Sequence, residues 1–170
     1  VKKSKHDFKS FQLPSKVALN EKFLKLCGYF LAEGYISEGR SRNFIVLAFN
    51  IKEENYANEV KSIVEELFGL EAVFRRHDSE KSLLVYIHSA NLARFFKKLF
   101  NRGAQNKKIP DFMMKLPAVK QAALIEGLWK GDGYVNSKRK YPRAGFVTIS
   151  PLLAHQLKML LLRQNIVFSF

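Results

Sequence analysis

Residues 26–36 read LCGYFLAEGYI and residues 125–135 read IEGLWKGDGYV, so a similar stretch recurs 99 positions along the chain. In each copy a Gly is followed four residues later by a small residue, and then by an acid, Gly and Tyr. Residues at this spacing share one face of a helix, and small ones let two helices cross in close contact. The repeat predicts two crossing helices that each end in an acid, Glu33 in the first copy and Asp132 in the second.

The charge of the chain is strongly positive. Among its 170 residues, 29 Lys and Arg stand against 15 Asp and Glu, which gives a net charge of +14. Such an excess is typical of proteins that bind a polyanion such as a nucleic acid. A basic soluble protein without such a partner is the alternative. An anionic membrane surface is disfavoured, because the sequence has no Lys-rich amphipathic helix with an isolated apolar face.

The single cysteine, Cys27, excludes an internal disulfide and a zinc site built from several cysteines. No apolar run approaches the length of a membrane span, and the first residues lead into no signal-peptide core. We therefore expect a cytoplasmic protein that does not enter a membrane. The sequence begins with Val1 rather than Met, as a fragment or a processed product would.

Hydrophobic periodicity and turn residues predict a first unit that runs helix, two strands, helix, two strands, helix. Asn20 is the expected cap of its first helix, and Gly34 and Gly69 are expected to stop its first two helices. The expected bounds of these elements are 20–33, 35–39, 44–51, 53–68, 72–76, 83–88 and 90–100.

The same order begins again after a connector. A helix is expected up to position 132, followed by a strand from 134 and a strand over 145–149. Ser150 and Pro151 are expected to open the next helix, which ends near Asn165. A last strand is expected from 166. The second unit then stops where the first has reached Phe74, so the last strand and helix of the first have no counterpart. The fold class is therefore α+β, divided into an N-terminal arm or linker (1–18), a first repeat (19–103), a connector (104–118) and a truncated second repeat (119–170).

Two carboxylates held close together repel each other, so the predicted pair of acids is expected to bind a cation. Carboxylate oxygens select Mg²⁺ or a similar ion, which keeps several waters and takes a further ligand from a substrate phosphate. With a basic surface nearby, such a pair indicates metal-assisted hydrolysis of a phosphodiester bond. A lone acid before a Gly is more often solvated surface, but repetition of the whole pattern favours a site.

Residues 26–34 and 125–133 resemble the two copies of the motif that names the LAGLIDADG homing endonucleases, especially the two-repeat enzymes found within archaeal inteins. The segments that precede the copies, Gln-Leu-Pro at 12–14 and Lys-Ile-Pro-Asp at 108–111, resemble that family too. The resemblance covers about residues 12–170. It implies two pseudo-symmetric αββαββα units, the second incomplete at its C-terminus, and a β-saddle that lies in the DNA major groove.

The resemblance also implies an endonuclease that uses Mg²⁺, with Mn²⁺ as a substitute, to cut a long and nearly palindromic double-stranded DNA target. By motif position, Glu33 and Asp132 are the catalytic, metal-binding acids, and the carbonyls of Ala32 and Gly131 assist in binding the metal. Glu33 in place of the more usual Asp is a mild change, because both coordinate Mg²⁺. A monomer is expected, and a dimer is the alternative if the second repeat is incomplete.

Members of this family often carry a basic residue near the start of the second helix of each unit, and Lys52 occupies that position in the first unit. Lys52 is expected to be catalytic, by polarising the attacking water or stabilising charge on the phosphate; an ordinary exposed Lys is the alternative. The matching stretch of the second unit, 148–151, reads Thr-Ile-Ser-Pro and has no Lys. This difference predicts unequal cleavage of the two strands. It leaves open a second function, a cleavage-poor scaffold kept for DNA binding or as an RNA-splicing cofactor.

A two-stranded ribbon fits the DNA major groove, so polar residues along the predicted strands and turns are expected to contact bases. Arg can pair with guanine edges, whereas Lys more often holds phosphates. The alternative for each residue is a solvated turn charge. The basic run at 94, 97, 98, 102, 107 and 108 is expected to flank the DNA backbone. The expected DNA-binding residues are Tyr35, Ser37, Arg40, Arg42, Arg75, His77, Lys81, Asn136, Lys138, Arg139, Lys140 and Arg143.

Overall fold

The fold comes from a computed structural model that describes residues 13–39, 43–137 and 141–169. Across these ranges no helix is both long and apolar enough to cross a membrane. The architecture is α+β, and the first unit has the predicted αββαββα order. The elements are α1 (Glu21–Glu33), β1 (Gly34–Glu38), β2 (Asn43–Asn50), α2 (Glu54–Phe68), β3 (Ala72–His77), β4 (Ser82–Ile87), α3 (Ala90–Phe100), α4 (Asp111–Met114), α5 (Ala118–Asp132), β5 (Gly133–Asn136), β6 (Arg143–Phe146) and α6 (Pro151–Arg163).

Helix α1 begins at a side-chain cap and ends at a point of close packing. The Asn20 Oδ1 atom accepts a hydrogen bond of 2.9 Å from the N–H three residues later, which confirms the predicted cap. At the other end, the Gly34 N–H donates to the Phe30 carbonyl. A Cβ at Gly34 would lie 2.3 Å from the Phe30 ring, and one at Gly133 would lie 2.6 Å from the Trp129 ring. Glycine is therefore required at both helix ends, because an aromatic ring packs directly against each.

The four strands of the first unit form one antiparallel sheet in the order β1-β2-β4-β3. Strand β2 pairs with β1 over positions 43–47 and with β4 over positions 45–50. Its alternate residues Ile45 and Leu47 are buried in the core together with Val85 of β4. The residues between them point to the opposite, outer face of the sheet.

The two units meet along helices α1 and α5, which pack closely against each other. A Cβ at Gly28 would lie 2.3 Å from the Leu124 carbonyl oxygen, and one at Gly127 would lie 2.1 Å from the Lys25 carbonyl oxygen. No side chain fits at such distances, so the backbones of the two helices touch at these glycines. The small-residue strip that the sequence predicts is the crossing point of the helices.

An ion-pair network on one side of this seam ties α1 and α5 to α2. Lys25 Nζ lies 3.0 Å from Glu59 and 2.9 Å from Glu126. Lys130 Nζ contacts the same two carboxylates at 2.8 and 2.9 Å, and the Tyr29 hydroxyl donates to Glu59 at 2.6 Å. Because the four charged side chains share partners and are partly shielded from water, they restrain the angle between the units more than an exposed ion pair would.

Strand β6 ends at Phe146, so the predicted strand over 145–149 is wrong in its second half. Positions 48–50 of β2, which match that half, pair only with β4. Strands β5 and β6 form a sheet of their own, paired over 133–136 and 143–146. In the described part of the second unit no strand takes the place of β4, so residues 147–149 have no partner to hold them extended.

The strand predicted from Ile166 is absent as well, because residues 166–169 have no regular structure. The preceding helix stops near the predicted position, and Asn165 and Gly69 both adopt a left-handed φ of 61° after their helices. Beyond that turn the first unit forms β3, which pairs only with β4. A hydrophobic pattern cannot make residues 166–169 a strand without that partner.

Candidate functional site

Glu33 and Asp132 end the two helices that cross at the seam, and the two helix ends lie side by side. A Cβ at Gly131 would lie 2.4 Å from Ala32 Cβ, 3.0 Å from Glu33 Cγ and 3.5 Å from Glu33 Oε1. The last turn of α5 therefore touches the Glu33 side chain, and Asp132 follows directly. The structure thus brings together the two acids and the two neighbouring residues whose carbonyls are expected to help bind metal.

Lys107 is the residue of this site that the sequence does not reveal. Its side chain is buried, and Nζ donates to the backbone carbonyls of Phe30, Leu31 and Ala32 at 3.1, 2.9 and 3.1 Å. The last carbonyls of a helix have no partner inside the helix, and α1 has no basic residue in its last turn. The Lys107 ammonium completes their hydrogen bonding and places a positive charge at the negative end of the helix dipole.

Burial and negative neighbours disfavour the charged forms of both acids. The pKa of Glu33 is raised to about 7, first by burial and then by the carboxylates of Asp132 and Glu53, while Lys107 opposes the rise. Burial also raises the pKa of Asp132, again opposed by Lys107. Burial lowers the pKa of Lys107 itself to about 8, although both acids favour its charged form. The site therefore carries more negative charge than one buried ammonium balances, which is the condition that a divalent cation relieves.

The position of Lys107 corrects the expectation that the basic run from 94 to 108 flanks the DNA backbone as a whole. Lys107 is withdrawn into the interior, and two further members of the run, Lys97 and Arg102, bind Glu38 of β1 at 2.5 and 2.7 Å. Lys107 therefore supports the first unit from the interior, whereas Lys97 and Arg102 are exposed and pair with Glu38 at the surface. The sequence signal that could have identified Lys107 is indirect: α1 lacks a basic residue in its last turn, so a donor must come from elsewhere in the chain.

The end of α5 has different surroundings. Lys130, in its last turn, binds Glu59 and Glu126 in the ion-pair network. Lys107 is the sole buried lysine among the described residues, so no second lysine occupies a matching position behind Asp132. The charge of Lys107 acts on both acids, but its hydrogen bonds hold the carbonyls of α1, so the two helix ends differ in their hydrogen-bond donors.

Lys52 lies in a 3₁₀ turn before α2, and its side chain is exposed. Asn50 Oδ1 accepts from Lys52 N at 3.0 Å, and in the second unit Thr148 Oγ1 accepts from Ser150 N at 3.2 Å. The two turns share this kind of hydrogen bond, and the 99-residue offset between the repeats places Pro151 at the position of Lys52, with Ser150 directly before it. Ser150 is buried, caps α6 and donates its hydroxyl to the Lys107 carbonyl at 2.7 Å. The matching stretch of the second unit therefore has a buried helix cap followed by a proline, and no ammonium.

The predicted DNA-binding residues of the first unit that the structure describes converge on one surface. Tyr35 and Ser37 of β1 lie on the outer face of the sheet with Arg75 and His77 of β3, as the strand register places them. Lys81 is exposed in the turn between β3 and β4. This outer face is the candidate DNA-binding surface.

The second unit contributes fewer described residues to the predicted interface. Asn136 of β5 and Arg143 of β6 are direct partners in the two-stranded sheet. The remaining predicted DNA-binding residues lie outside the described residues: Arg40, Arg42, Lys138, Arg139 and Lys140.

Sequence reasoning also misses aromatic residues on the candidate surface. Phe44 and Tyr86 have ring centroids 5.8 Å apart, and the Arg75 guanidinium lies 4.8 Å from the centroid of the Tyr86 ring. Tyr134 occupies in the second unit the position of Tyr35 in the first, and both are 48% exposed. The rings of Phe44 and Tyr86 become visible only through strand register, whereas Tyr35 and Tyr134 belong to the repeated motif.

The candidate metal centre consists of two carboxylates and helix-end carbonyls. No group of three or more His, Cys, Asp or Glu arranged to hold a metal occurs among the described residues. Two acids with free coordination positions fit a hard cation such as Mg²⁺, which keeps waters and accepts substrate oxygens.

The fold and the site define a two-repeat α+β protein whose repeats meet along paired helices that end in acids. The chain belongs to the family of LAGLIDADG-like domains, whose model matches residues 20–99 and 120–169.

Relatives are found in archaea. An uncharacterized protein of Methanocaldococcus jannaschii is 35% identical over 170 residues, which cover 95% of this chain and 19% of that protein. A DNA polymerase of Thermococcus litoralis is 28% identical over 147 residues, which cover 84% of this chain and 8% of the polymerase. The chain thus spans less than a fifth of the length of these relatives.

The fold is shared with a solved homing endonuclease. The structure of I-DmoI in complex with DNA and Mn superimposes with a TM-score of 0.63 at 14% identity, over 89% of this chain and 82% of that chain. The likeness confirms the two-repeat fold.

Proposed function

We propose that this chain is a site-specific endonuclease that hydrolyses phosphodiester bonds of double-stranded DNA with a divalent metal, Mg²⁺ or in its place Mn²⁺. The observation that carries the proposal is the meeting of Glu33 and Asp132 at the seam, where burial raises both pKa values and mutual repulsion raises that of Glu33. The fold shared with I-DmoI, which was solved with DNA and Mn, supports the same conclusion.

Glu33 and Asp132 are the proposed metal ligands, assisted by the carbonyls of Ala32 and Gly131. The Ala32 carbonyl already accepts a hydrogen bond from Lys107, but a carbonyl oxygen has a second lone pair to offer. A bound divalent metal supplies an activated water and stabilises the leaving oxygen of the phosphodiester. The affinity of the site for the metal should rise as the pH rises toward 7, because Glu33 must lose its proton before it can coordinate the metal.

Two lysines have separate proposed roles. Lys107 fixes the end of α1 by holding its last carbonyls, so it positions Glu33 rather than contacting substrate. Lys52 is exposed at the start of α2 and is the proposed catalytic cation, which orients the attacking water or stabilises charge on the phosphate.

The outer face of the sheets is the proposed DNA-binding surface, set in the major groove on either side of the acids. Arg75, His77 and Arg143 are exposed there and supply donors for base edges and phosphates. The net charge of +14 supports a DNA partner with many phosphate contacts. Two similar but unequal units favour a long, nearly palindromic target bound by one monomer.

An intein-type origin and a cytoplasmic site of action complete the proposal. The chain matches 19% and 8% of the two archaeal relatives described above, which supports an endonuclease unit within a longer polypeptide. The division into an arm (1–18), two repeats (19–103 and 119–170) and a connector (104–118) is part of the same proposal.

The second candidate function is DNA binding, or RNA-splicing assistance, without efficient cleavage. The observation that favours it is the absence of a lysine in the stretch 148–151, which matches the turn of Lys52. The buried Ser150 hydroxyl of that stretch donates to the Lys107 carbonyl of the connector. If the second acid lacks catalytic support, the protein would nick one strand or bind without cutting.

Cleavage products from a DNA library with a randomised region, sequenced after incubation with Mg²⁺, test the proposal and give the target. On that target, Glu33→Gln and Asp132→Asn should each reduce double-strand cleavage by roughly 10³-fold, because each removes a metal-binding charge. DNA binding in Ca²⁺ should change by less than about threefold, since the neutral variants leave the strands in place.

Glu65→Gln is the matched control, because Glu65 is an exposed acid on α2 away from the seam. It should leave cleavage unchanged. Full activity in both site variants would refute the assignment of the acids. A wild-type protein that shifts the target in Ca²⁺ and cuts neither strand in Mg²⁺ would establish the binding function instead.

A further inference from the structure

The outer face of the four-stranded sheet is apolar at its centre. Val46 of β2 pairs directly with Tyr35 of β1 and with Tyr86 of β4, so all three side chains lie on this face. Val46 is 0% exposed because the two tyrosine rings flank it, whereas Tyr35 is 48% exposed. The centre of the candidate DNA-binding surface therefore offers apolar area as well as hydrogen-bonding groups.

Three rings, those of Phe44, Tyr86 and His88, form an aromatic cluster on the same face. The Phe44 ring centroid lies 5.8 Å from that of Tyr86 and 5.3 Å from that of His88. The Tyr86 and His88 rings stack at 5.9 Å with an interplanar angle of 19°. Phe44 and Tyr86 are only half-buried and His88 is exposed, so the cluster presents open ring area to the outside. Large apolar side chains gathered on an exposed face mark a surface that a partner covers.

Cations border the aromatic cluster, which favours DNA as that partner. The Arg75 guanidinium lies 4.8 Å from the centroid of the Tyr86 ring, and Lys81 is exposed in the turn that follows β3. A protein that covered this face would have to place acidic groups directly beside apolar ones. The major groove of DNA supplies both kinds of group, because phosphates border it and each thymine presents a C5-methyl group within it.

The second unit differs at the matching positions. The pairing of β5 with β6 repeats that of β1 with β2 at an offset of 99 residues, so Arg143 takes the place of Phe44 and Gly145 that of Val46. A Cβ at Gly145 would lie 2.9 Å from the Tyr134 hydroxyl oxygen, so that tyrosine packs directly over the glycine. The surface of the second unit is therefore cationic at a position where that of the first unit is aromatic.

We infer that the aromatic cluster recognises thymine, by packing against C5-methyl groups in the half-site that the first unit covers. The inference rests on the proposed DNA-binding function and adds a base preference to it. The C5-methyl group of thymine is the apolar group that a base edge presents in the major groove, whereas an arginine pairs with guanine. The two half-sites of a nearly palindromic target should therefore differ here, with thymine opposite Phe44 and guanine opposite Arg143.

Substitution of deoxyuridine for thymidine tests the inference, because it keeps base pairing and removes only the C5-methyl group. The target duplex is selected from a randomised library by binding to the full chain in Ca²⁺, so that no cleavage is needed. Deoxyuridine is then placed in one half-site at a time. In one half-site it should weaken binding by about fourfold for each methyl group that loses its contact with the cluster. In the other half-site it should weaken binding by less than about twofold.

The variant Phe44→Ser assigns the effect to the aromatic cluster. It should reduce the loss caused by deoxyuridine to less than about twofold, because the ring that the methyl group contacts is gone. Phe112→Ser is the matched control and should keep the full loss. Phe112 is 44% exposed on α4, which Gln121 links to the beginning of α5, the end of that helix opposite Asp132.

Equal weakening in both half-sites, or none in either, would overturn the inference while the proposed endonuclease stands, since the target is still bound. No weakening in either half-site is also the result expected if a protein covers the cluster. A Phe44→Ser variant that binds the target and keeps the full loss would overturn the assignment to these rings. The comparison of half-sites uses the unsubstituted chain, so it decides the matter even if Phe44→Ser does not fold. A chain that selects no duplex from the library would refute both the inference and the proposed function.

Discussion

The ends of α1 and α5 carry the same order of acid, glycine and tyrosine, yet they differ in the cations around them. Behind Glu33, a buried Lys107 holds three helix carbonyls, and Lys52 stands exposed in the adjoining turn. In the second unit, the stretch that matches the turn of Lys52 has the buried Ser150 and no lysine. A repeated motif thus fixes where the acids meet, whereas residues outside the motif decide how each acid is supported.

The seam between α1 and α5 is the symmetric part of the molecule. Substitutions at its glycines should have the largest effect on stability. Gly28→Ala and Gly127→Ala should each lower the free energy of unfolding by about 3 kcal/mol or more, because the new Cβ meets a backbone carbonyl of the opposite helix. Chemical denaturation measures both. Gly69→Ala is the control: its Cβ meets no atom within 4 Å, so only the left-handed φ of 61° costs energy, about 1 kcal/mol. Equal losses at all three glycines would show that the helices do not touch there.

Removing Lys107 sharpens the difference between the two helix ends. Lys107→Met should lower the free energy of unfolding at pH 7 by about 2 kcal/mol, because three carbonyls lose the ammonium as donor, of which Phe30 keeps the Gly34 N–H, while the buried volume is kept. Lys98→Met, at an exposed position of α3, should change it by less than about 0.5 kcal/mol. A neutral effect of Lys107→Met would mean that water caps α1 equally well.

A substitution at Lys52 compares the two units through the rates at which the two DNA strands are cut. Lys52→Ala should slow cleavage of one DNA strand by roughly 10²-fold, because the charge on the phosphate loses its stabilising cation in one half of the site only. Strand-labelled targets measure the two cuts separately, with Lys120→Ala as control, because Lys120 is exposed at the opposite end of α5 from Asp132. Equal slowing of both strands would show that Lys52 serves DNA binding rather than one half of the site.

A smaller effect concerns the dependence of stability on pH. The pKa of Glu33 is raised from 4.5 in the unfolded chain to about 7 in the folded protein, so the folded state holds the proton more tightly. Stability should therefore fall as the pH rises from about 4.5 to 7 without metal. After allowance for partial solvent exposure, Glu33→Gln should raise the free energy of unfolding at pH 8 by roughly 1–2 kcal/mol and have no such effect near pH 4. If Glu33→Gln instead lowered the free energy of unfolding at pH 8, the ionised Glu33 carboxylate would not be destabilised by its burial and its negative neighbours.

The sequence predicts the features of the fold that depend on local signals. Asn20 caps α1 through its own side chain, and Gly28 and Gly127 mark a helix crossing by spacing alone. Strand lengths are less predictable, because a strand persists only where a neighbour pairs with it. Positions 147–149 and 166–169 have strand-like sequences and no partner among the described residues, so they do not form strands.

The same division applies to the site. Glu33 and Asp132 belong to a repeated motif, so their meeting can be predicted from the sequence. Lys107 lies 75 positions from Ala32 and approaches it only through tertiary packing, which no local pattern reports. Glu53 contributes to the raised pKa of Glu33 from the 3₁₀ turn that follows β2, and this approach too depends on tertiary packing. The catalytic and DNA-binding roles of all these residues remain predictions for the experiments above.

The most direct test of the paired acids is a pH titration of the Glu33 side-chain carboxyl by carbon-13 NMR in metal-free protein. The wild type should titrate near pH 7, and Asp132→Asn should lower the midpoint, because the neighbouring carboxylate is one cause of the raised pKa. Assignment is secured by the loss of the signal in Glu33→Gln. A midpoint near 4.5, unchanged by Asp132→Asn, would show that the two acids do not meet at the seam.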